Sequence, residues 1–406
     1  MTEFDLNAQP SGPNAELKRA AQAAILGARD EILDLSHRIH ATPEPAYQEE
    51  HAATWVGEAI ARRGFVVERP AGRLATGIRA VRRNGLGGAK PRIGVLAEYD
   101  ALPGLGHGCG HNTMAASGVG AAIGLAAVGD RLPGETVFFG TPAEEHGSGK
   151  KQMIEDGLFD GIDAALLYHP CDRNHVEIDP LASEDVDVVF RGVQAHAASD
   201  PWSGRNALDA MVTLFTSVGL WRQSLRPTAL VHGIIREGGT AANIIPDRTK
   251  AWFMIRNIDE ADYEAMKARF IDLCKAAALA TGTEVEIEFS GGARTMLNNP
   301  VLTERWRANM AAFGIEDEGP DASYGSTDMG NVSWVVPAIH PDLAAVPRGT
   351  PGHSIAFRDA SARPQADDVT LLAAILVAQT AVDLYLDPGL VEASWRLFVG
   401  EGRRPG

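Results

Sequence analysis

Residues Ile93 to Asn112 read IGVLAEYDALPGLGHGCGHN, and they join an apolar strand to a loop and then to a helix. Acidic side chains follow the strand Ile93–Ala97 directly. The glycine-rich loop carries a thiol and an imidazole two residues apart, on Cys109 and His111. Glycines between a buried strand and a helix let the backbone approach a ligand closely. The pattern is therefore typical of a ligand site next to a strand end.

Further metal donors recur where later apolar strands end. Glu144 and Glu145 follow the strand 136–141, His169 follows the strand 164–168, and His353 lies in a Gly/Pro loop. Sulfur, imidazole and carboxylate together are the ligands of zinc and related transition metals. A lone Cys-x-His pair is more often structural, but the combined donors predict a site for one or two transition-metal ions.

The two adjacent glutamates predict a division of roles. On a strand or a turn their side chains would diverge, so one carboxylate could bind a metal while its neighbour faces the substrate. A metal lowers the pKa of bound water from about 16 to near 7. The second carboxylate could then handle protons while that water attacks a substrate. This pattern indicates metal-assisted hydrolysis.

Two other readings remain open from the residues alone. Cys109 could be the nucleophile of a thiol hydrolase, with His107 or His111 as its base. The chain could instead bind a metal or small ligand without turnover. Glu144 argues against a simple binding protein, because such a protein needs no base beside its ligands.

Bulk composition excludes several classes of protein. The 406 residues carry a net charge of −16, which argues against nucleic acid or an anionic membrane as a general partner. Three cysteines cannot form a disulfide framework, so we expect a cytoplasmic protein. The apolar tracts 115–128 and 371–386 are too short or too polar to predict a membrane span.

The secondary-structure pattern changes near residue 183. Before it, helices and strands alternate as in an α/β sheet, with helices predicted at 15–39 and 49–63. After it, the order strand, helix, strand, strand, helix, strand indicates a small α+β, ferredoxin-like domain. That order rests on the segments 186–190, 207–223, 229–236, 248–256, 261–281 and 284–290. We predict one domain from residues 1–184 and 298–406, and an inserted domain at 185–297.

Four motifs carry a family resemblance, namely Glu98–Gly104, His107–Asn112, Gly140–Glu145 and Pro351–Ser354. They resemble the M20 metallopeptidase and amidohydrolase family, in particular its branch with a Cys-Gly-His motif. Within that branch the sequence is similar to the aminobenzoyl-glutamate hydrolase and β-alanyl dipeptidase group. The similarity runs in motif order from about residue 21 to about residue 387.

The resemblance implies a zinc-peptidase-like catalytic domain, with a mixed sheet sandwiched by helices, and an inserted lid or dimerisation domain. It implies a homodimer that binds two Zn or Mn ions per subunit and hydrolyses an N-acyl amino acid or dipeptide with a free carboxylate. Glu144 would be the general base. The implied metal ligands are Cys109, His111, Glu145, His169 and His353.

The same resemblance implies roles for residues around the metal. Asp100 would orient a metal-bound imidazole. His196 would help to hold the tetrahedral oxygen, and Asn243 would contact the substrate carboxylate. Arg256 and Arg205 are candidates to pair with that carboxylate, although such arginines more often form structural salt bridges.

Two positions stay open at this point. Many members of the family carry His where this chain has Glu98, which puts a direct transfer of ligand geometry in doubt. The loop Tyr324–Gly330 is predicted either to contact substrate or to cap a helix.

Overall fold

A computed structural model describes residues 4–12, 14–319 and 325–401. Within them the chain divides into two compact units. The first unit contains residues 4–12, 14–179, 296–319 and 328–401, and the second contains residues 180–295 and 325–327.

The helices in the described residues are α1 (Ala15–Gly27), α2 (Arg29–Ala41), α3 (Glu50–Ala61), α4 (His111–Val128), α5 (Gly149–Glu155), α6 (Ala207–Arg222), α7 (Glu260–Thr281), α8 (Pro300–Ala311), α9 (Met329–Ser333), α10 (Ile355–Ala360), α11 (Pro364–Leu386) and α12 (Pro388–Arg396). The strands are β1 (Val66–Glu68), β2 (Ile78–Arg83), β3 (Arg92–Glu98), β4 (Glu135–Thr141), β5 (Ala164–Leu166), β6 (His169–Cys171), β7 (Ala182–Arg191), β8 (Ala195–His196), β9 (Leu230–Glu237), β10 (Ile244–Ile245), β11 (Arg248–Asn257), β12 (Glu284–Ala293), β13 (Ala338–Ile339) and β14 (Asp342–Ala344).

The first unit is built on a mixed six-stranded sheet in the order β1-β2-β4-β3-β5-β13. Strands β4, β3, β5 and β13 run parallel, while β1 and β2 add an antiparallel edge. In β3 every residue after Arg92 is buried, as expected for a central parallel strand covered on both faces. The predicted α/β class with a mixed sheet is confirmed.

Helix α4 lies at the centre of the first unit and fixes where the glycine-rich loop ends. It packs against α1, α2, α11 and β3, and nearly all of its residues are buried. Such close packing requires small side chains. A Cβ atom on Gly118 would lie 2.8 Å from Ala97 Cβ and 2.9 Å from the Leu96 carbonyl oxygen.

Replacing Gly118 with alanine is expected to lower the free energy of unfolding by about 1–3 kcal/mol, because the added methyl group overpacks the contact with β3. Chemical denaturation followed by circular dichroism measures the change. Gly57→Ala is the matched control, since a Cβ there has no neighbour nearer than 3.8 Å. That variant gains helix propensity at no steric cost. Equal stability of the two variants would contradict the packing argument.

The second unit has a four-stranded antiparallel sheet in the order β12-β7-β11-β9. Along β11 buried and half-buried residues alternate, so one face of the sheet meets a core. Helices α6 and α7 pack on that sheet and supply the rest of the core. In chain order the main elements are strand, helix, strand, strand, helix and strand, with the short β8 and β10 forming a separate ladder.

One predicted helix differs from the structure. The single helix expected at 15–39 is two helices, because α1 ends at Gly27 and Ala28 leaves the helical region at φ −103° and ψ 15°. The apolar tract 371–386 lies in the helix α11, which begins at Pro364. Proline suits the first turn of a helix, where its missing N–H costs no hydrogen bond.

The segments His111–Arg131 and Pro364–Leu386 are long and apolar enough to cross a membrane by length and composition alone. However, 89% and 94% of the residues in their most apolar windows are buried inside the protein. A helix surrounded by protein core is apolar on all sides and meets the same criteria. These helices are therefore weak evidence for a membrane span.

Candidate metal centre

The first unit brings the ends of its strands and the glycine-rich loop to one place. The loop ends at Gly110, whose φ of 79° is left-handed and whose added Cβ would lie 2.7 Å from Pro170. Glycine is therefore required there, and α4 begins immediately after it at His111. The His353 amide donates to the Gly108 carbonyl over 3.0 Å, which attaches the 350–354 loop to the same site.

Five predicted ligands meet in two groups of potential metal donors. Cys109, His111 and His169 form one group, and Cys109, Glu145 and His353 form the other, with donor atoms within 4.8 Å of one another in each. Cys109 Sγ lies 3.4 Å from His169 Nε2, and Glu145 Oε2 lies 3.4 Å from His353 Nε2. Cys109 belongs to both groups, so its sulfur is placed where it could serve two ions.

Asp100 lies beside two of these ligands. Its Oδ1 is 3.0 Å from His111 Nδ1, and its Oδ2 accepts a hydrogen bond of 2.9 Å from the Glu145 amide. Burial alone would lower the pKa of His111, but the Asp100 carboxylate and then Cys109 outweigh it and raise that pKa. With Nδ1–H directed at Asp100, the lone pair of Nε2 faces the donor groups.

The donor chemistry fits a cation. Among the described residues His111 Nε2, Glu145 Oε1 and Glu98 Oε2 make no hydrogen bond of good geometry. Burial, followed by repulsion from Glu98 and Glu145, raises the pKa of Glu144 well above its usual range. Burial also lowers the pKa of His169 to about 3, so its imidazole is neutral, as a ligand must be. Buried carboxylate oxygens without a hydrogen-bond donor, such as Glu98 Oε2 and Glu145 Oε1, indicate a place for positive charge.

Glu144 and Glu145 lie in a turn instead of on the strand. Consequently their side chains do not diverge: Glu144 Oε2 and Glu145 Oε1 lie 4.0 Å and 3.9 Å from His111 Nε2. The divergence expected on a strand or a turn is wrong, because β4 has ended at Thr141 and the left-handed φ of 59° at Ala143 directs both side chains to the same imidazole.

The side chains of Glu49 and Tyr47 hold this turn at its two ends, and we call this pair the clamp. The sequence did not reveal it. The buried Glu49 accepts hydrogen bonds of 2.9 Å from the amides of Tyr47 and Ala143, and one of 2.7 Å from the Thr76 hydroxyl. The Tyr47 hydroxyl donates to the Gly147 carbonyl over 2.7 Å at the other end of the turn. The segment 47–49 therefore fixes the residues on both sides of Glu144 and Glu145.

Replacing Glu49 with alanine is expected to lower kcat by about 10²-fold, since a misplaced reacting group can cost that much. Glu49→Gln is the matched control, because its amide oxygen can still accept from both backbone N–H groups. Steady-state kinetics, with metal content measured on the same samples, tests the clamp. An unchanged kcat in Glu49→Ala would show that the turn holds its shape without it.

Two charged residues lie behind the donors, of which sequence reasoning missed Lys150 and gave Asp328 a different role. Lys150 is fully buried, and its ammonium lies 2.5 Å from Asp328 Oδ1 and 2.6 Å from Glu98 Oε1. The only sequence signal was the lysine that follows Gly149. Asp328 does not cap α9 with its side chain but binds Lys150, and Tyr324 of the predicted 324–330 loop lies outside the described residues.

The predicted substrate residues lie in the second unit. His196 on β8 pairs with Ile244, next to Asn243, so His196 and Asn243 are neighbours. The His196 ring Nδ1 accepts from the amides of Ala198 and Ser199, both at 3.2 Å.

The two arginines of the second unit lie at different places. Arg205 bridges to Val193, near the His196 end of the sheet. On β11, Arg248 pairs with Arg191 of β7. Arg256 lies eight residues further along β11, which places it roughly 27 Å from Arg248 along the strand. Within this unit Arg256 is therefore not brought to His196 and Asn243.

Comparison with known proteins identifies the family of this chain. The sequence model of peptidase family M20/M25/M40 matches residues 94–376. The chain is 37% identical over 402 residues to the Xaa-Arg dipeptidase of Mus musculus, covering 94% of this chain and 92% of that protein. It is 30% identical over 454 residues to a polypeptide of the p-aminobenzoyl-glutamate hydrolase of Escherichia coli, covering 93% of this chain and 94% of that one.

Solved structures share the fold. A putative aminohydrolase from methicillin-resistant Staphylococcus aureus superposes with a TM-score of 0.76 at 21% identity, over 92% of this chain and all of that one. A dinuclear metal-binding M20 peptidase from Bacillus subtilis gives 0.67 at 18% identity, over 89% and 99%. The resemblance seen in the motifs is confirmed: the chain belongs to peptidase family M20/M25/M40 and is a metal-dependent amidohydrolase.

Proposed function

We propose that this enzyme hydrolyses the amide bond of a dipeptide or N-acyl amino acid with a free carboxylate, and that Glu144 is its general base. The observation that carries the proposal is the position of Glu144. Its carboxylate lies beside His111 but is absent from both donor groups that contain Cys109. A base must be close to the reacting atoms and must keep its own lone pairs free.

The residues of the chain divide the chemistry between them. We propose that two ions, Zn or Mn, would be held by Cys109, His111, Glu145, His169 and His353. The thiolate and imidazole donors of this set favour Zn. When bound, these metals acidify water and polarise the amide carbonyl. Glu144 takes a proton during attack on that carbonyl and passes it to the leaving amine. Asp100 keeps His111 in the tautomer that such a role requires.

The relatives suggest the chemical class of the substrate. One is named for dipeptides that end in arginine and the other for aminobenzoyl-glutamate, and in both the amide nitrogen belongs to an amino acid. The chain has a net charge of −16, so its long-range electrostatic field favours the approach of a cationic or neutral substrate over an anionic one. We therefore propose a dipeptide with a basic C-terminal residue as the preferred substrate. We also propose that His196 and Asn243 contact it, with Arg256 as a weaker candidate.

A substrate panel tests this proposal. Metal-reconstituted protein is assayed with dipeptides ending in Arg, Lys, Ala or Glu, with N-acyl amino acids, and with aminobenzoyl-glutamate. A higher kcat/KM for Arg and Lys than for Glu is expected. The matched dipeptide amides, which lack the carboxylate, are expected to be poor substrates. If the protein hydrolyses none of the dipeptides, N-acyl amino acids or aminobenzoyl-glutamate, the proposed function is wrong.

We also propose a homodimer formed through the second unit. Strand β9 is an edge strand, and its Ile234 and Ile235 side chains are exposed, as are Val212 and Leu220 on α6. Exposed apolar side chains beside an unpaired strand edge are a common docking surface for another chain. Light scattering after size-exclusion chromatography is expected to give twice the chain mass. Ile234→Lys with Leu220→Lys is expected to give the monomer.

A cytoplasmic location is proposed from the cysteines. Cys109, Cys171 and Cys274 form no disulfide with one another. Free thiols persist in a reducing compartment. Cell fractionation with detection of the native protein tests the location.

A further inference from the structure

His111 belongs to two alternative sets of metal donors, and with Nδ1 directed at Asp100 only its Nε2 is left to bind an ion. One set is Cys109 and His169. The other is Glu98 and Glu144, whose nearest carboxylate oxygens lie 3.3 Å and 4.0 Å from Nε2. A single imidazole lone pair binds one ion, so the two sets are competing positions for the ion that His111 holds.

An ion in the second position would occupy the proposed base. Donor chemistry alone does not prevent this, because carboxylate oxygens suit Mn and other hard cations. Glu98 and Glu144 also both offer carboxylate oxygens in a buried place, which would attract a divalent cation. Another feature of the chain must therefore disfavour the carboxylate position.

Lys150 has the required charge and a fixed place. Its ammonium lies 2.6 Å from Glu98 Oε1, on the carboxylate that a cation in the second position would use. Asp328 holds the lysine at two points, through the ammonium at 2.5 Å and the backbone amide at 2.9 Å. Burial lowers the pKa of Lys150, but Asp328 and Glu98 outweigh it and raise that pKa, so the side chain stays charged.

We propose that Lys150 keeps a cation out of the Glu98–His111–Glu144 position and so directs the ion of His111 to Cys109 and His169. Like charges a few ångströms apart repel strongly in a buried environment. Lys150 is thus a positioning residue that leaves Glu144 free. The inference rests on the ligands assigned under the proposed function.

Cobalt(II) tests the inference without relying on activity. Metal-stripped protein is loaded with cobalt, and the near-ultraviolet thiolate-to-cobalt absorption and the bound cobalt are measured. In Lys150→Met we expect that absorption to fall by about half, because one of the two thiolate-bound ions moves to carboxylates. The amount of bound cobalt should not fall. Lys151→Met, at the adjacent half-buried lysine, is the matched control and should keep the full absorption.

The competing carboxylate provides the reciprocal test. The double variant Lys150→Met/Glu98→Gln is expected to regain the absorption, since the second position has lost its anionic donor. Glu98→Gln alone should keep both the absorption and the bound cobalt, and it decides the matter even if Lys150→Met fails to fold. Loss of an ion in Glu98→Gln, or full absorption in folded Lys150→Met, would overturn the inference. Absence of the absorption from the unmodified protein would instead refute the ligand assignment itself.

Discussion

Glu144→Gln is expected to lower kcat by about 10²–10⁴-fold while the protein keeps its metal. The amide retains the size and hydrogen-bonding shape of the carboxylate but cannot take a proton. Because Glu144 lies outside both donor groups that contain Cys109, its loss should leave those ligands in place. Kinetics with the best dipeptide substrate, together with metal analysis of the same sample, measures the effect.

The control for this variant is Glu58→Gln on the exposed side of α3, which should behave as the unmodified enzyme. Two results would count against the assignment. Unchanged activity would show that another group is the base. Loss of metal together with activity would show that Glu144 is a ligand, as its membership of the group with Glu98 and His111 also allows.

Removal of metal by a chelator is expected to lower activity by at least about 10²-fold, since a bound cation contributes several kcal/mol to such hydrolysis. Addition of Zn or Mn should restore it. The stripped protein should also unfold at a lower temperature, because the buried carboxylates around His111 lose the cations that compensate them. Activity assays and thermal unfolding of stripped and reloaded samples measure both effects.

Chelation also separates the metal mechanism from a thiol hydrolase. Alkylation of Cys109 would stop either one, whereas a chelator should leave a thiol hydrolase active. The structure disfavours Cys109 as a free nucleophile, because burial and the Glu145 carboxylate raise the pKa of its thiol. The ring of His107 is directed at the Ile39 carbonyl at 3.1 Å, so it is occupied elsewhere. Full activity after complete metal removal would nevertheless favour the thiol mechanism.

The buried strand β3, its glycine-rich loop and helix α4 were predictable because each follows a local pattern. Apolar runs, glycines and small residues act over a few positions, so their meaning does not depend on distant parts of the chain. The helix break at Ala28 was not predictable in this way, since helical spacing continues across it. The convergence of Glu144 and Glu145 on one imidazole was also missed, because the left-handed Ala143 before them is held by a residue 94 positions away.

The sequence by itself indicated the candidate donors, namely Cys109, His111, Glu145, His169 and His353, because each stands at a strand end or in a glycine-containing loop. Only the tertiary structure decided how those donors are grouped and which charges lie behind them. Lys150 and Asp328 are 178 residues apart, and nothing in either local sequence indicates that they pair. Burial makes that pairing necessary, because a charge removed from water is stable only beside an opposite charge, and burial exists only once the chain has folded.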